Sequence, residues 1–334
     1  MTARVAVAIA AFNDAVFARF CLEALALQTF RDFEVVFVDD GSVDDTAAVA
    51  ESFADRITIR VIRAAHAGRQ AAKQAACDAV DAGAKLLLML DADIELPADA
   101  LSRMVQVMDS DGCVGVVSAH ARSNVSRPFG RGQAFMEDAF LYSNTTADGS
   151  ARWIVGGCAM FRREARVGID VRVDLPDDSH LAQQLRGKWR LALPRDLVAV
   201  HHGVPTTLRG VLRRGYRDGV RVRAMLRHHP DARQVGNVAR LVPLPLMGGV
   251  VTGAITLQPW LVGCTAAATA AYLVAFLVAT RKVPAVAIDR LAGAAVFTLG
   301  NLGFGVGYIE EALRDTPFGL AKHRSERTSE GSNV

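Results

Sequence analysis

Residues 33–42 read Phe33-Glu34-Val35-Val36-Phe37-Val38-Asp39-Asp40-Gly41-Ser42, an apolar run of strand length that ends in two carboxylates and a glycine. Residues 86–93 repeat this pattern, since five apolar residues are followed by Asp91-Ala92-Asp93. Continuous apolar runs of this length are typical of strands that are buried on both faces. Ligands of such sheets bind beyond the carboxyl ends of the strands. We therefore expect both acidic motifs at one site.

The sequence around these two runs alternates between strand and helix patterns. Strands are predicted at 5–10, 33–38, 57–62 and 86–90, and helices at 15–28, 47–53 and 69–82. This alternation predicts an α/β fold, with a mostly parallel sheet and helices on both of its faces. From 114 to 190 the pattern is less regular, and we assign this stretch to the acceptor half of the same domain.

The 334 residues are 51% hydrophobic, but their apolar residues are unevenly distributed. Residues 241–309 are nearly free of charge and contain three candidate membrane spans, at 241–257, 260–280 and 291–309. The second of these is long enough to cross a bilayer, which takes about 20 apolar residues. We therefore predict transmembrane helices after the α/β domain. The alternative is a soluble helical hairpin that packs on that domain.

Arginines are concentrated between 209 and 240, directly before the apolar region. Many arginines often indicate nucleic acid, but their position here favours anionic lipid headgroups or lipid phosphates, and we predict no nucleic-acid partner. Four of them recur every fourth residue and share one helix face, namely Arg209, Arg213, Arg217 and Arg221. This face is expected either to hold the phosphates of an acceptor or to lie as a basic surface on lipid.

The positions of the cysteines and of the positive charges indicate a compartment. Five scattered cysteines without paired spacing fit a reducing environment and predict no zinc site. No signal-peptide pattern is seen at the N-terminus. Arg281-Lys282 and the earlier arginines would face the cytoplasm by the positive-inside rule. We therefore expect the α/β domain on the cytoplasmic side of the inner (plasma) membrane.

Asp91 and Asp93 flank one small residue, so their carboxylates are able to converge on one hard cation. Mg²⁺ or Mn²⁺ is typically held by one or two carboxylates together with phosphate oxygens, and it neutralises charge on a departing diphosphate. The alternative is a simple helix cap, which Pro97 disfavours because it delays the next helix. His202, of the pair His201-His202, is predicted to complete the metal shell or to contact the diphosphate, with a structural role as the alternative.

Two further acidic pairs each have a functional and a structural interpretation. Asp39 and Asp40 are predicted to accept hydrogen bonds from a nucleobase or ribose, whereas a turn with a helix cap is the alternative. Asp177 and Asp178 precede an amphipathic segment, where the helix dipole alone would favour carboxylates. One of this second pair is able to act as a base toward an acceptor hydroxyl.

With these motifs in view, the chain resembles the family 2 glycosyltransferases, which have a GT-A fold (a Rossmann-like α/β architecture). The resemblance rests on residues 7–13, 21–30, 38–46, 91–93, 156–165 and 177–181. It implies a nucleotide-diphosphate sugar as donor and inverting transfer, with Asp178 as the base beside Asp177 and with Asp93, aided by Asp91, at the metal. It also implies nucleotide contacts at Ala10, Phe12, Asn13, Asp39, Asp40, Gly68, Arg69 and Asp91. Gly156 and Gly157 are expected in the sugar pocket.

The C-terminal part is similar to the membrane-bound transferases of succinoglycan-type exopolysaccharide assembly, through residues 206–219, 229–230 and 303–308. This similarity implies a polyprenyl-diphosphate-linked saccharide as acceptor, near Arg213 and Arg217, in cell-surface polysaccharide assembly. The expected organisation is a catalytic domain at 1–205, a basic interfacial segment at 206–240, a transmembrane region of two to three helices at 241–313 and a polar tail at 314–334.

Two other functions are compatible with parts of this pattern. One is a polyprenyl-phosphate sugar synthase, which loads a single sugar onto a lipid monophosphate. The other is a non-catalytic nucleotide-sugar-binding subunit of a membrane export assembly, which the presence of all three acidic motifs disfavours. The sequence also departs from the family, because His66 and Gln74 replace the usual asparagines. No Gln-x-x-Arg-Trp follows the second acidic pair, which argues against a processive synthase.

Overall fold

The computed structural model describes residues 2–126, 129–166, 168–169, 177–205, 207–228, 259–285 and 287–313. The chain divides into two compact units. The first comprises Met1–Val204 together with Lys282–Gly293, and the second comprises Pro205–Arg281 together with Ala294–Val334. The predicted membrane span at 241–257 and the predicted tail at 314–334 lie outside the described residues.

The first unit alternates strands and helices along most of its length. Its strands are β1 (Val5–Ala11), β2 (Phe33–Asp39), β3 (Ile59–Arg63), β4 (Leu86–Asp91), β5 (Ile94–Glu95), β6 (Val114–Ser118), β7 (His120–Ser123), β8 (Ser150–Ala151), β9 (Cys158–Arg162), β10 (Arg190–Ala192) and β11 (Val198–His201). Its helices are α1 (Ala15–Ala26), α2 (Thr46–Glu51), α3 (Arg69–Ala79), α4 (Ala100–Ser110), α5 (Gly130–Asn144) and α6 (Asp177–Leu185).

The main sheet has the strand order β3-β2-β1-β4-β9-β6-β10-β8. Strands β1 to β4 pair in parallel, which confirms the predicted parallel sheet, whereas β9 runs antiparallel to both β4 and β6. Because β1 lies between β2 and β4, Ala11 pairs with Asp39 and Ala10 pairs with Asp91. This register brings the carboxyl ends of β2 and β4 to either side of one strand, as predicted.

Both faces of the main sheet are covered by helices. Alternate residues of β1 point to opposite faces: Val7 packs in the cluster that includes α1, α2 and α4, and Ala8 packs in the cluster that includes α3 and α6. Burying a large apolar side chain stabilises a fold by about 1.5–3 kcal/mol. These two clusters therefore fix the sheet rigidly beneath its carboxyl edge.

A second sheet of three short strands has the order β5-β11-β7. It joins the segment after Asp93 to the segment that ends in His201, because Ile94 pairs with His201 and Glu95 with Val200. The paired residues of β5 and β11 are far apart in the chain. This pairing therefore places His201 near the acidic motif at the end of β4.

The second unit contains α7 (Leu208–His228) and α8 (Pro259–Ala279), while α9 (Ala287–Leu313) begins in the first unit and continues into the second. The helices α8 and α9 coincide with two of the predicted apolar segments. Within the described residues, Ile288–Glu311 is long and apolar enough to cross a membrane, and Cys264–Ala279 is a shorter apolar segment. A core helix of a soluble protein has the same length and composition, so this property alone is weak support for a membrane span.

Candidate active site

Asp93 is held by three neighbours at the carboxyl edge of the sheet. Its Oδ2 atom lies 3.2 Å from Nε2 of His201. Its carbonyl oxygen accepts a hydrogen bond from the backbone N–H of His202 at 2.9 Å. A β-carbon added at Gly203 would overlap Oδ2 of Asp93, so that only glycine leaves space for the carboxylate here. The carboxylate therefore has one fixed position, facing an imidazole.

Asp91 is paired with a buried cation. Oδ1 of Asp91 lies 2.6 Å from Nζ of Lys73, and the Lys73 side chain is only 8% exposed. The carbonyl of Gly157 accepts the backbone N–H of Asp91 at 2.8 Å, and a β-carbon at Gly157 would lie 2.6 Å from Oδ2 of Asp91. The structure thus brings the predicted residues Asp91 and Gly157 together.

A further carboxylate stands behind His201. Oε1 of Glu137 on α5 lies 3.9 Å from Nδ1 of His201, so the imidazole stands between two carboxylates. Glu137 is fixed in turn by the backbone N–H and the hydroxyl of Ser123, at 2.6 and 2.8 Å. Such a carboxylate behind a histidine orients the ring and sets which nitrogen carries the proton.

The two histidines of the predicted pair contact different carboxylates, and the metal role of His202 stays a prediction. Nε2 of His202 lies 2.8 Å from Oε2 of Glu95, and its ring stacks on Phe20 at a centroid distance of 4.7 Å. His202 therefore contacts Glu95, and its neighbour His201 is the histidine beside Asp93. Successive side chains at the end of a strand point to opposite sides, so only one of the two is able to face the acidic motif.

The charges of this site shift its pKa values in opposite directions. Burial raises the pKa of Asp14 to about 6, and the negative charge of Asp93 adds to that shift. Burial also opposes ionisation of Asp93, yet the hydrogen bond and charge of His201 and the charge of Lys73 lower the pKa of Asp93 below its usual value. Burial likewise opposes ionisation of Glu137, whose pKa is lowered by the nearby His201 and by the hydrogen bonds from Ser123. Asp93 and Glu137 are therefore anionic at neutral pH.

Asp40 holds the loop that precedes α3. Its carboxylate is 3% exposed and accepts the backbone N–H groups of Ala67 and Gly68, at 2.8 and 3.0 Å, while Nδ1 of His66 lies 2.9 Å from Oδ2. Gly41, with φ of +75°, makes the turn beside this loop. The carboxylate oxygens of Asp40 thus accept hydrogen bonds from the protein backbone. The contact of Asp40 with a nucleoside stays a prediction.

An aromatic pair borders this loop. The ring of Phe12 stacks on His66 with a centroid distance of 4.1 Å, and both side chains are partly exposed. Asn13, with φ of +54°, ties the end of β1 to the loop after β2: its N–H donates to the Ser42 hydroxyl, and its Oδ1 accepts the N–H of Val43, each at 2.9 Å. The predicted residues Phe12, Asn13, Asp39 and Gly68 therefore share one stretch of the sheet edge.

For the other predicted residues, the structure gives mainly the element in which each one lies. Ala10 lies within β1, Arg69 begins α3 and is exposed, and Gly156 lies in the turn before β9. Asp177 and Asp178 are the first residues of α6, but their side chains lie outside what the structure describes. Arg213 and Arg217 are exposed on α7 in the second unit. The base and acceptor roles of these four residues stay predictions.

Within the described residues, no three His, Cys, Asp or Glu side chains converge closely enough to hold a metal by themselves. Asp93 and His201 do meet, while Asp91 faces Lys73. Two protein ligands suit Mg²⁺ or Mn²⁺ in a site that is completed by phosphate oxygens and water, as is usual where the metal binds with its substrate. The donor set of one carboxylate and one imidazole, cradled by Gly203, therefore fits the predicted cation.

Sequence reasoning missed Lys73, His201, Gly203, Glu137 and Asp14. Lys73 gave a usable signal, because it recurs at helical spacing with the small residues Ala72, Ala76 and Cys77, and it is the charged residue among the buried residues of α3. Glu137, Gly203 and Asp14 gave no local signal, whereas His201 was named only as the neighbour of His202. The positions of these four residues depend on pairings between distant parts of the chain.

Part of the chain matches a known protein family. Residues 6–167 match the model of the family "Glycosyl transferase family 2". Two relatives, named as PGL/p-HBAD biosynthesis glycosyltransferases of Mycobacterium bovis (strain BCG / Pasteur 1173P2) and Mycobacterium tuberculosis (strain ATCC 25177 / H37Ra), are each 39% identical over 90 residues. The matched region is 25% of this chain and 33% of each relative, so the chain spans about a third of the length of the curated relatives that it matches.

A solved structure extends the comparison to most of the chain. The mannosyltransferase PcManGT from Pyrobaculum calidifontis, in complex with GDP-Man and Mn²⁺, superposes with a TM-score of 0.59 at 21% identity. The superposition covers 92% of this chain and 88% of that one. At this identity the likeness concerns the fold. Residues 6–167 therefore match a glycosyltransferase family 2 domain, and the fold of the chain is a GT-A-like α/β fold.

Proposed function

We propose that this family 2 domain makes the chain an inverting glycosyltransferase, which moves a sugar from a nucleotide-diphosphate donor to a lipid-linked saccharide. The observation that carries the proposal is the meeting of Asp93 and His201 beside the Asp91–Lys73 pair, at the carboxyl edge of the sheet. Such edges are where α/β folds bind ligands. The family match and the names of the mycobacterial relatives support sugar transfer.

The donor is proposed to bind across the ends of β1, β2 and β4. Phe12 offers a partly exposed ring on which a nucleobase is able to stack, and Asp39 ends β2 next to it. Gly68 is held by Asp40 at the start of α3, where its loop lies along the same edge. The diphosphate would then extend toward Asp91 and Asp93.

Asp93 and His201 are proposed to hold a Mg²⁺ or Mn²⁺ ion, with Asp91 assisting. When bound, such an ion stabilises the negative charge that develops on the leaving nucleotide diphosphate. Lys73, at 2.6 Å from Asp91, holds that carboxylate in place and adds a positive charge at the same edge. The presence of Mn²⁺ with GDP-Man in the Pyrobaculum enzyme supports this assignment.

On the acceptor side, Asp178 is proposed to remove the proton of the attacking hydroxyl, which then displaces the diphosphate from the anomeric carbon with inversion. Asp177 and Asp178 begin α6, a position that suits negative charge. Gly156 and Gly157 would border the sugar, since Gly157 contacts Asp91. The acceptor is proposed to be a polyprenyl-diphosphate-linked saccharide of cell-surface polysaccharide assembly, with Arg213 and Arg217 near its phosphates. The catalytic unit would face the cytoplasm at the inner membrane.

The test is release of nucleotide diphosphate by the full-length protein in detergent. UDP-, GDP- and dTDP-sugars would be supplied with Mn²⁺ or Mg²⁺ and bacterial polyprenyl lipids, and Asp93→Ala and Asp178→Ala variants would be run alongside. We expect release from one donor that requires metal and lipid and falls at least 100-fold in both variants. Absence of nucleotide binding to the wild-type protein would contradict the proposal. A product with a single phosphate on the lipid would replace the proposed acceptor by a polyprenyl monophosphate.

A further inference from the structure

The helices α7 and α9 are packed backbone against backbone in the second unit. A β-carbon added at Gly215 would overlap the carbonyl oxygen of Gly300, and one added at Gly219 would overlap that of Phe304. On α9, a β-carbon added at Gly303 would likewise overlap the carbonyl oxygen of Leu212 on α7. Small residues at such crossings allow the closest approach that two helices make. In a membrane, the two helices would therefore lie at the same depth wherever they touch.

This contact continues over about three turns. The hydroxyl of Tyr216 lies 2.7 Å from Oε2 of Glu310, and the guanidinium of Arg223 lies 6.0 Å from the centroid of the Tyr308 ring. Rising residue numbers on α7 meet rising numbers on α9, so the helices run in the same direction. The stretch 212–223 of α7 therefore accompanies the stretch 300–310 of α9.

The accompanying stretch of α7 is strongly charged. It contains Arg213, Arg214, Arg217, Asp218, Arg221 and Arg223, of which Arg213 and Arg217 are exposed. Gly300 lies at the middle of the apolar segment Ile288–Glu311. If that segment crossed a bilayer, its middle would lie in the hydrocarbon centre and would take these arginines with it. Each arginine disfavours that depth by roughly 100-fold.

The exposed side of α9 suits a different position. Its exposed apolar residues recur at helical spacing along one face, namely Ile288, Leu291, Ala295, Val306 and Ile309. At 100° per residue this stripe faces away from Gly300 and Phe304, which contact α7. Leu291 is 65% exposed and Val306 is 50% exposed. The basic residues that accompany this apolar face belong to α7, and a surface that combines an apolar face with basic residues suits the plane of a membrane surface.

We infer that α9 does not cross the bilayer but lies with α7 along the surface of an anionic membrane. The apolar stripe of α9 enters the boundary between headgroups and acyl chains. Arg209, Arg213 and Arg217 lie at the level of the lipid phosphates, which they attract by charge. The membrane contact is thus a surface made of two helices, and its partner is an anionic lipid bilayer.

The first experiment measures depth in the membrane. In full-length protein with Cys113→Ser and Cys264→Ser, a nitroxide would be placed in turn at Leu291, Ala295, Leu302, Val306 and Ile309. Power-saturation EPR in vesicles of phosphatidylcholine and phosphatidylglycerol then compares accessibility to oxygen and to a nickel chelate. We expect the same shallow depth at all five positions. If Leu302 were about 10 Å deeper than Leu291 and Ile309, as a crossing helix would place it, the inference would be overturned.

The second experiment tests the charge. The triple variant Arg209→Gln, Arg213→Gln, Arg217→Gln should bind anionic vesicles on the order of 100-fold more weakly in sedimentation, because each arginine near the surface contributes about fivefold. The matched triple replacement by Lys keeps the charge and should bind like the wild type. Thermal unfolding of both variants in detergent confirms that they are folded. Equal binding of the Gln variant to anionic vesicles would contradict the proposed surface.

Discussion

At the scale of single residues, the candidate site depends on how tightly Asp93 is confined. His201 faces the carboxylate of Asp93, and the backbone N–H of His202 donates a hydrogen bond to the carbonyl of Asp93. Because Gly203 has no side chain, it leaves the space that Oδ2 of Asp93 occupies. An anion confined in this way is already in position before a cation arrives. Little reorganisation is then needed on binding, which is the general advantage of a preorganised site.

Gly203→Ala should displace the Asp93 carboxylate, because the added methyl group takes the position of Oδ2. We expect kcat/KM to fall by at least 100-fold and Mn²⁺ affinity by at least 10-fold, with little change in melting temperature. Steady-state kinetics, Mn²⁺ titration and thermal unfolding measure these effects. Gly112→Ala is the matched control, since nothing lies within 4 Å of a β-carbon there. Unchanged activity in Gly203→Ala would mean that Asp93 does not act from this position.

Glu137→Gln should weaken metal binding without removing a metal ligand. The carboxylate stands 3.9 Å behind Nδ1 of His201, where it fixes the ring orientation and increases the basicity of the ring. We expect about 10- to 100-fold lower Mn²⁺ affinity, as is usual when such a supporting residue is changed. EPR detection of free Mn²⁺ measures this without turnover. Glu23→Gln, on the exposed face of α1, is the control and should bind Mn²⁺ like the wild type.

Asp14→Asn should change the pH dependence of stability. The pKa of Asp14 rises from 3.8 to about 6 on folding, chiefly through burial, so its contribution to stability is present below pH 4 and is lost as the pH rises through about 6. For a fully buried carboxyl group, such a pKa shift would change the free energy of unfolding by about 3 kcal/mol. Because the Asp14 side chain is partly exposed, we expect the free energy of unfolding to change by only roughly 1 kcal/mol.

In EDTA, Asp14→Asn should therefore be more stable than the wild type at pH 8, and this advantage should shrink by pH 4.5. Urea unfolding at both pH values measures the difference. A stability difference between the two proteins that is the same at both pH values would show that Asp14 has an ordinary pKa.

At the scale of elements, the segment that carries the acidic motif is tied to α1 and α4 by one buried side chain. Nε2 of Gln28 donates to the carbonyl of Ala24 at 3.0 Å and to that of Pro97 at 2.8 Å. Its Oε1 accepts the backbone N–H of Leu101, also at 3.0 Å. Gln28 thus satisfies backbone groups at the end of one helix, in the loop after β5 and at the start of another helix.

Gln28→Ala should destabilise the fold, because it leaves three buried backbone groups with fewer partners. A buried group that loses its hydrogen bond costs about 1–3 kcal/mol, and we expect a total of about 3 kcal/mol. Urea unfolding followed by circular dichroism measures this loss. Gln106→Ala, on the exposed side of α4, should change stability by less than about 0.5 kcal/mol. A similar loss in both variants would contradict the assigned role of Gln28.

At the scale of the whole molecule, the chain returns to the first unit after leaving it. Residues 282–293 belong to the first unit, which the predicted boundary at 205 did not include. Arg131 lies 2.7 Å from Asp289, and Phe135 is covered by Gly293 and by the guanidinium of Arg290. Phe135 is consequently only 2% exposed, although it lies on the outer helix α5.

A chain that ends at Val204 should therefore lose the cover of Phe135. We expect it to melt several degrees below the full-length protein and to aggregate more readily. In the full-length protein Phe135→Ala should destabilise by about 3–5 kcal/mol, the usual range for a buried phenylalanine. In the shortened chain the same substitution should have less than half that effect, because the ring is already exposed. Equal effects in both chains would show that 282–293 contributes nothing to the burial of Phe135.

The sequence by itself determined the parallel sheet and the position of its acidic motifs. Strands are encoded by continuous apolar runs, and strand ends by the charged and small residues that follow, so both features are local. The predicted strand at 33–38 is observed as β2, and that at 86–90 as β4, each extended by the aspartate that follows it. Because parallel strands share one carboxyl edge, these local patterns are sufficient to predict that Asp39 and Asp91 lie at the same edge of the sheet.

Only the tertiary structure decided which side chains complete the site. His201 meets Asp93 because β11 pairs with β5 in one register, and a shift by one residue would have presented His202 instead. Glu137 and Lys73 come from two other segments, whose distances to Asp91 and Asp93 depend on how α5 and α3 pack, while Gly203 follows His201 by two residues. Local patterns fix what each segment becomes, whereas long-range pairing fixes which functional groups touch.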